Sequence, residues 1–434
     1  MRNDHGMKTR ATRTLAAVAS LVAAVTVAAP LAAQSGNASA AALGLGGAYT
    51  AAARGFDAVA WNPAGLAMPG TGRFSVGIFP VVGGWGATPI GFGELKDHEG
   101  DVVDDATKRA WVETIRADGG QSMGGAADAT LLGLTIGRFG VQVSLSATGD
   151  GFLTGDAAEL LLFGNVGFEG EPKAYDIRGT DFTAASLATF AASWAQPLRV
   201  GGGVLAIGGT AKLVRGTSFL HGRETGGITT SDPLAVRVRF PIVQARETGA
   251  FDDNGGGFAA DLGVAWQRGG VRLGAAVQNV VSTFEWDADA FDWKRGVVAF
   301  TDDSSVTDFE RRPLAEGPEE LRRVLDEATL DPTVSAGAAV RLTDALAVSA
   351  DVRARMGDGL DLVPKSYVGA GVEWAPVPEL PIRLGAASMT GGLQFGGGVG
   401  LRLGAFTLDA SIARRTGDDV QRTLFGITAA VRPR

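Results

Sequence analysis

Eight polar side chains, Asp261, Arg272, Gln278, Asp351, Arg353, Glu373, Arg383 and Asp409, fall at alternate positions of segments that are otherwise small or aliphatic. Opposed acids and bases on one face of extended segments do one of two things. They brace a wall and whatever it encloses through ion pairs and hydrogen bonds, or they conduct or select a ligand. Arg341 and Arg402 fit the same set. Other chemistry has little support. No nucleophile stands with its base, and His98 and His221 lie far apart without ligand-spaced companions. Asp252-Asp253-Asn254 and Asp287-Ala288-Asp289 offer oxygen ligands of the kind calcium takes, yet they read as solvated loop charge. Gly44-Leu45-Gly46-Gly47 and Gly396-Gly397-Gly398 lack the strand-to-helix setting and downstream acid of a dinucleotide site. The expectation is a protein that is not an enzyme, with no metal site and no cofactor.

The elements that position these residues come next. Arg2, Lys8, Arg10 and Arg13 precede an apolar run from Leu15 to Ala29. Small-residue exits follow at Ala33 and Ala38-Ser39-Ala40, so residues 1–40 read as a signal peptide cleaved near 33–40. Without cysteine there is neither a lipid-anchor site nor a disulfide. A net charge of −8 and the lack of a basic stripe argue against nucleic acid. Glycine, 64 of 434 residues, is about twice its average usage. It sits among β-branched and aliphatic residues, where it suits close backbone approach. No segment after the leader reaches the roughly 18 consecutive apolar residues of a spanning helix. The other way to cross a bilayer is a closed barrel, which leaves no unpaired strand edge.

The second half alternates clearly. Phe258, Ala260, Leu262, Val264 and Trp266 oppose Asp261 and Gln267. Across an Arg268-Gly269-Gly270 turn, Val271, Leu273, Ala275 and Val277 oppose Arg272 and Gln278, the signature of a hairpin. The same grammar runs through 346–353, 368–374, 406–412 and 425–432. Each segment is about ten residues long, enough for a tilted strand to cross a bilayer. Short turns (Gly269-Gly270, Thr343-Asp344, Gly404) alternate with longer acidic connections around 282–332 and 355–365. A soluble sandwich or propeller would alternate too. Strands of this length, with Trp266, Trp374 and Phe406 near their ends as interfacial girdles, favour the membrane barrel. In the first half, Arg73 to Val82 and Ala129 to Gly149 read as strands, the latter folded at Arg138-Phe139-Gly140. Helices are predicted over 104–117, 156–163 and 318–330. The tally is about 14 to 16 strands, with 84–93 and 227–246 left open.

Two N-terminal stretches, Gly46-Gly47-Ala48-Tyr49-Thr50 and Trp61-Asn62-Pro63-Ala64-Gly65-Leu66, resemble the plug segment of the FadL/PorV-like outer-membrane barrels. Glu159-Leu160-Leu161-Leu162-Phe163-Gly164-Asn165 is similar to a motif in an uncharacterised branch of that group. Asp261-Leu262-Gly263 and Val277-Gln278-Asn279 resemble its late paired strands. The resemblance covers most of the chain after the leader. It implies an all-β fold: an antiparallel transmembrane barrel of about 14 strands over 73–434, short loop helices, and a plug or hatch over 41–72. Gly46, Gly47, Tyr49, Trp61, Asn62, Pro63 and Gly65 would form that plug, although Asn62-Pro63 is also an ordinary turn step. The implied location is the cell outer membrane, with its lipid and the barrel-assembly machinery as partners. FadL-like members pass hydrophobic small molecules, whereas PorV-like members serve a secretion complex. A simple diffusion porin fits less well with a plug. One departure stands out: the sequence ends Val431-Arg432-Pro433-Arg434, where such barrels commonly finish on an aromatic residue.

Overall fold

The computed structural model describes residues 38–164, 167–170, 173–225, 235–247, 249, 251–301, 305–417 and 420–432. The expected leader over 1–37 lies outside them, as do Asn165 and the first part of the open stretch 227–246. Fourteen strands form one antiparallel ring. The first seven are β1 (Phe74–Thr88), β2 (Gln121–Ile136), β3 (Phe139–Leu153), β4 (Asp181–Val200), β5 (Gly203–Arg223), β6 (Gly255–Arg268) and β7 (Val271–Ser282). The rest are β8 (Thr333–Arg341), β9 (Leu346–Arg355), β10 (Ser366–Trp374), β11 (Ile382–Met389), β12 (Gly392–Leu403), β13 (Phe406–Thr416) and β14 (Arg422–Val431). Each strand pairs with the next, and β14 returns to β1 from Val76↔Val431 to Gly86↔Arg422, so the sheet has no free edge. The open stretch 84–93 resolves in part as the end of β1, and the 139–140 step belongs to β3, with the turn at Gly137-Arg138.

The faces are inverted relative to a soluble protein. Leu262, Val352, Val368, Leu384, Phe395, Ile412 and Ile427, from seven different strands, point outward and are each more than half exposed. Asp261, Asp351, Arg353, Arg383 and Asp409 are buried inside. A continuous apolar belt of this size far exceeds the few hundred Å² a soluble monomer tolerates, and it is what lipid requires. This inversion decides against a sandwich, whose inner faces would be apolar. Among the described residues no helix is long and apolar enough to cross a membrane.

Residues 38–72 lie inside the ring, touching strands on all sides of it. This inner segment carries α1 (Ala40–Gly44), α2 (Phe56–Trp61) and a 3-10 turn over Pro63–Ala67. Long connections gather at one end of the barrel and hold α3 (Phe92–Lys96), α4 (Asp105–Ala117), α5 (Gly155–Phe163) and α6 (Glu319–Glu327). The predicted helices are found, with trimmed ends. Asp104 caps α4 by accepting from Ala106 N at 2.9 Å, and Thr154 caps α5. Pro318 precedes α6, which stops at Glu327 and not at Leu330. Residues 235–239 and 242–245 are short loop strands outside the ring. The strands β4 and β5, at 20 and 21 residues, overshoot the membrane and support this cap. Phe219 of β5 packs there with Trp286, Phe291, Leu314, Leu321 and Leu325.

The Glu159 motif ties the cap together. Glu159 is fully buried and accepts from Lys173 Nζ at 2.7 Å, from the Phe168 amide at 3.2 Å, and from Arg116 of α4. Burial by itself would push its carboxyl up, but these donors outweigh it and hold it below the usual glutamate value. A depressed carboxylate stabilises the fold above its unfolded value and loses that contribution as pH falls through the folded one. Amide exchange in α4 and α5, corrected for intrinsic rates, should be constant from neutral pH down to about 5 and accelerate below about 4. Glu159→Gln should remove that dependence; equal acceleration in the variant would show that other groups control it.

Candidate functional site

The inner segment is held almost wholly by wall side chains meeting its backbone. Asp351 Oδ2 on β9 accepts from both Tyr49 N (3.0 Å) and Thr50 N (2.7 Å). The Tyr367 hydroxyl on β10 donates to the Gly46 carbonyl, and Gln278 on β7 donates to Ala60 O. Ala40 N reaches Thr428 Oγ1 at 3.0 Å, and Ser411 Oγ donates to Ala40 O at 2.6 Å. Asn62 turns the segment: its Oδ1 accepts from Ala64 N (3.1 Å) while its Nδ2 donates to Thr50 O and, across the gap, to Val264 O (3.1 Å). Buried polar groups are costly without partners, and here the wall supplies them.

Space is made by glycine. Gly46 has φ +59, and a Cβ there would run into the Ala386 backbone. On the wall, a Cβ at Gly385 would strike Gly46 and one at Gly371 would strike Leu45. Similarly Gly263 faces Asn62, and Gly208 faces Pro63 and Ala64. Gly47 sits against the Tyr367 ring, and Gly65 against Ala53 and Ala58 within the segment.

The eight polar residues singled out from sequence all belong to strands of the ring; seven of them fall into three groups, and Arg272 stands apart. Asp351 and Arg353 serve the inner segment. The Arg353 guanidinium lies 5.0 Å from the rings of both Trp61 and Tyr367, a cation between two π faces. Tyr49 and Trp61 meet edge to face at 5.4 Å. Glu373, Arg383 and Asp409, with Arg402, form a chain across β10 to β13. Arg383 bonds Asp409 at 2.6 Å and Glu373 at 2.8 Å, and Arg402 reaches Glu373 at 3.2 Å. Asp261 and Gln278 belong to a third cluster. Arg272 is partly buried without an ion pair among the described residues, and Arg341 is exposed at the end of β8.

That third cluster surrounds a break in the wall. Ala260 pairs with Val281 and Leu262 with Val277, so Gln278, Asn279 and Val280 face Asp261 alone. Asn279 adopts φ +52, and Asp261 Oδ1 accepts its amide at 2.8 Å in place of a ladder partner. Lys212 on β5 pairs with Asp261 at 2.6 Å. Beside them lies a cavity bounded by Val59 and Ala60 of the inner segment, by β3 to β9, and by the loop carrying Leu360. A second cavity continues outward under α6 and shares Leu360 with the first. Lys212, Asn279, Gln142 and Arg355 escaped sequence reading. Lys212 keeps the inward parity of Thr210, Arg355 that of Arg353 and Gln142 that of Ser144, so regular alternation carries them inward; only Asn279 sits at a bulge, 278–280. The partner of Asp57 was equally hidden. Arg432 Nη2 meets buried Asp57 Oδ2 at 2.7 Å and stacks over Phe56, so the unusual C-terminal Arg closes on the inner segment. Among the described residues no three acids or histidines are placed to hold a metal ion.

A closed 14-strand ring with a polar lumen and an internal N-terminal segment is the FadL-like outer-membrane barrel fold. The chain belongs to the family described as "F plasmid transfer operon, TraF, protein", which matches residues 123–352, more than half of its 434 residues. No match is found among curated protein sequences. Among solved structures it is similar to the toluene transporter TbuX of Ralstonia pickettii (16% identity, TM-score 0.53, 92% of this chain and 99% of that one). It is also similar to a FadL homologue of Pseudomonas aeruginosa (14%, TM-score 0.50, 93% and 100%). A third likeness is to the CymD monoaromatic hydrocarbon channel (11%, TM-score 0.50, 91% and 96%). At these identities the likeness establishes the fold.

Breaking a buried ion pair by removing one charge costs about 3–5 kcal/mol. Asp57→Asn is therefore expected to loosen the inner segment, read as faster amide exchange over Tyr49–Trp61 while the wall strands keep their protection. Unchanged exchange there would mean that the Arg432 contact does not hold the segment.

Proposed function

We propose that this barrel resides in the outer membrane and passes small, largely hydrophobic compounds across it. The observation that carries this reading is the pair of cavities in line, running from beneath the outer cap to the inner segment and meeting the wall break at Asp261 and Asn279. The inner segment fills the lumen beyond them, so an open diffusion pore does not fit. Gly46, Gly47, Tyr49, Trp61, Asn62, Pro63 and Gly65 act as the hatch. The β6–β7 break offers cargo a lateral way out, since its backbone ladder is already interrupted.

Two solved relatives of the fold are described as a toluene transporter and a monoaromatic hydrocarbon channel, which supports this class of cargo. A second reading rests on the family description, which names a plasmid transfer operon. In that reading the outer cap serves as a docking face for a secretion or envelope complex, and co-purification of such a complex after gentle extraction would favour it.

Thr189→Trp and Val214→Trp fill the inner cavity from β4 and β5 without touching the inner segment's bonds. Each should lower uptake of a monoaromatic probe by about tenfold or more while the barrel still shows its folded gel mobility; a tenfold loss corresponds to about 1.4 kcal/mol. Undiminished uptake by both folded variants would exclude the cavity as the path.

A further inference from the structure

The two cavities differ in a way that bears on what they accept. The inner one has a hydrogen-bonding side on β3 and β4. Ser144 and Thr189 are cross-strand partners lining it, and neither hydroxyl has a hydrogen-bond partner among the described residues. Gln142, two residues along β3 and 4% exposed, spends its Nε2 on Thr130 at 2.9 Å and leaves Oε1 unpartnered. The outer loops add an apolar side of Leu330, Leu360, Leu362 and Val363. The charges are already matched within the wall: Lys212 with Asp261 at 2.6 Å, and Arg355 with Asp331 at 3.3 Å. No cation is left over for an anionic head group.

The outer cavity reinforces this. The ionisable side chains lining it are all acids: Asp150, Glu327, Asp358 and Asp361. Arg355 and Lys365 pair with Asp361 and Asp358 but do not line the space. A cleft walled by one sign of charge concentrates its own field and repels ligands of that sign.

We infer that the cargo is a small uncharged amphiphile, an apolar body carrying a hydroxyl or similar neutral hydrogen-bonding group, and that carboxylates are turned away at the outer cavity. This rests on the passage reading above. A pure hydrocarbon would leave Ser144 and Thr189 unsatisfied and dry, whereas a cargo hydroxyl donates to one of these side-chain hydroxyls and accepts from the other. Sites built to hydrogen-bond a hydroxyl discriminate strongly against the analogue lacking it.

The test is uptake of three probes matched in size, 4-ethylphenol, ethylbenzene and 4-ethylbenzoate, by outer-membrane vesicles carrying the full-length barrel, corrected for vesicles lacking it. The phenol should enter about tenfold faster than either of the others, the difference one well-made hydrogen bond is worth. The shape-conserving variant Gln142→Leu/Ser144→Ala/Thr189→Val should bring the phenol down to the hydrocarbon's rate. Asp150→Asn/Glu327→Gln should raise carboxylate entry several-fold and leave the hydrocarbon unchanged. Hydrocarbon or carboxylate entering as fast as the phenol in the native protein would overturn this inference and leave passage standing. Barrel-dependent entry of none of the three would overturn both.

Discussion

Chain folded inside a narrow barrel has no water to satisfy its peptide groups, so every one must meet the wall or itself. That constraint shapes the whole structure. The wall responds with side chains that end in acceptors and donors at backbone height, Asp351, Tyr367, Gln278, Ser411 and Thr428, and with glycines wherever the two backbones touch. The excess of glycine follows from this need. A Cβ at Gly371, Gly385 or Gly263 would collide with the inner segment, so the wall is thin where the segment is closest.

The charged interior is divided by task. The Glu373–Arg383–Asp409 chain with Arg402 runs from strand to strand and stiffens the wall over β10 to β13. Asp351 and Arg353 on β9 and Arg432 after β14 hold the inner segment beside that chain, while Gln278 on β7 and Val264 on β6 hold it across the lumen. β3 to β7 carry much of the cavity lining, the bulges at Thr217 and 278–280 and the unpartnered Ser144 and Thr189 hydroxyls.

Outside the membrane, the cap is a small protein core in its own right. Phe219, Trp286, Phe291 and Leu325 pack beneath α6, and the buried Glu159 joins α4, α5 and the loop after it. Long strands β4 and β5 couple that core directly to the cavity lining, since Leu187 and Val214 belong to both. The packing under α6 therefore also shapes the inner cavity.

Composition and alternation, together with the N-terminal motifs, pointed to the fold class. Period-two patterning over segments of about ten residues and the absence of long apolar runs after the leader favour a membrane barrel, and the helix limits fell close to their caps at Asp104 and Thr154. The inward face of Asp261, Arg272, Asp351 and Glu373 was legible for the same reason: alternation fixes facing wherever a strand is regular. Pairing was not legible. Which acid meets which base depends on register and barrel closure, so Arg432 at the chain's end meeting Asp57 near its beginning carries no local signal. Nor was the cavity, because it is enclosed only where β3 to β9, the inner segment and the loops carrying Leu330 and Leu360 come together. Sequence specifies local geometry through steric period; only closure of the ring brings distant side chains to a common site.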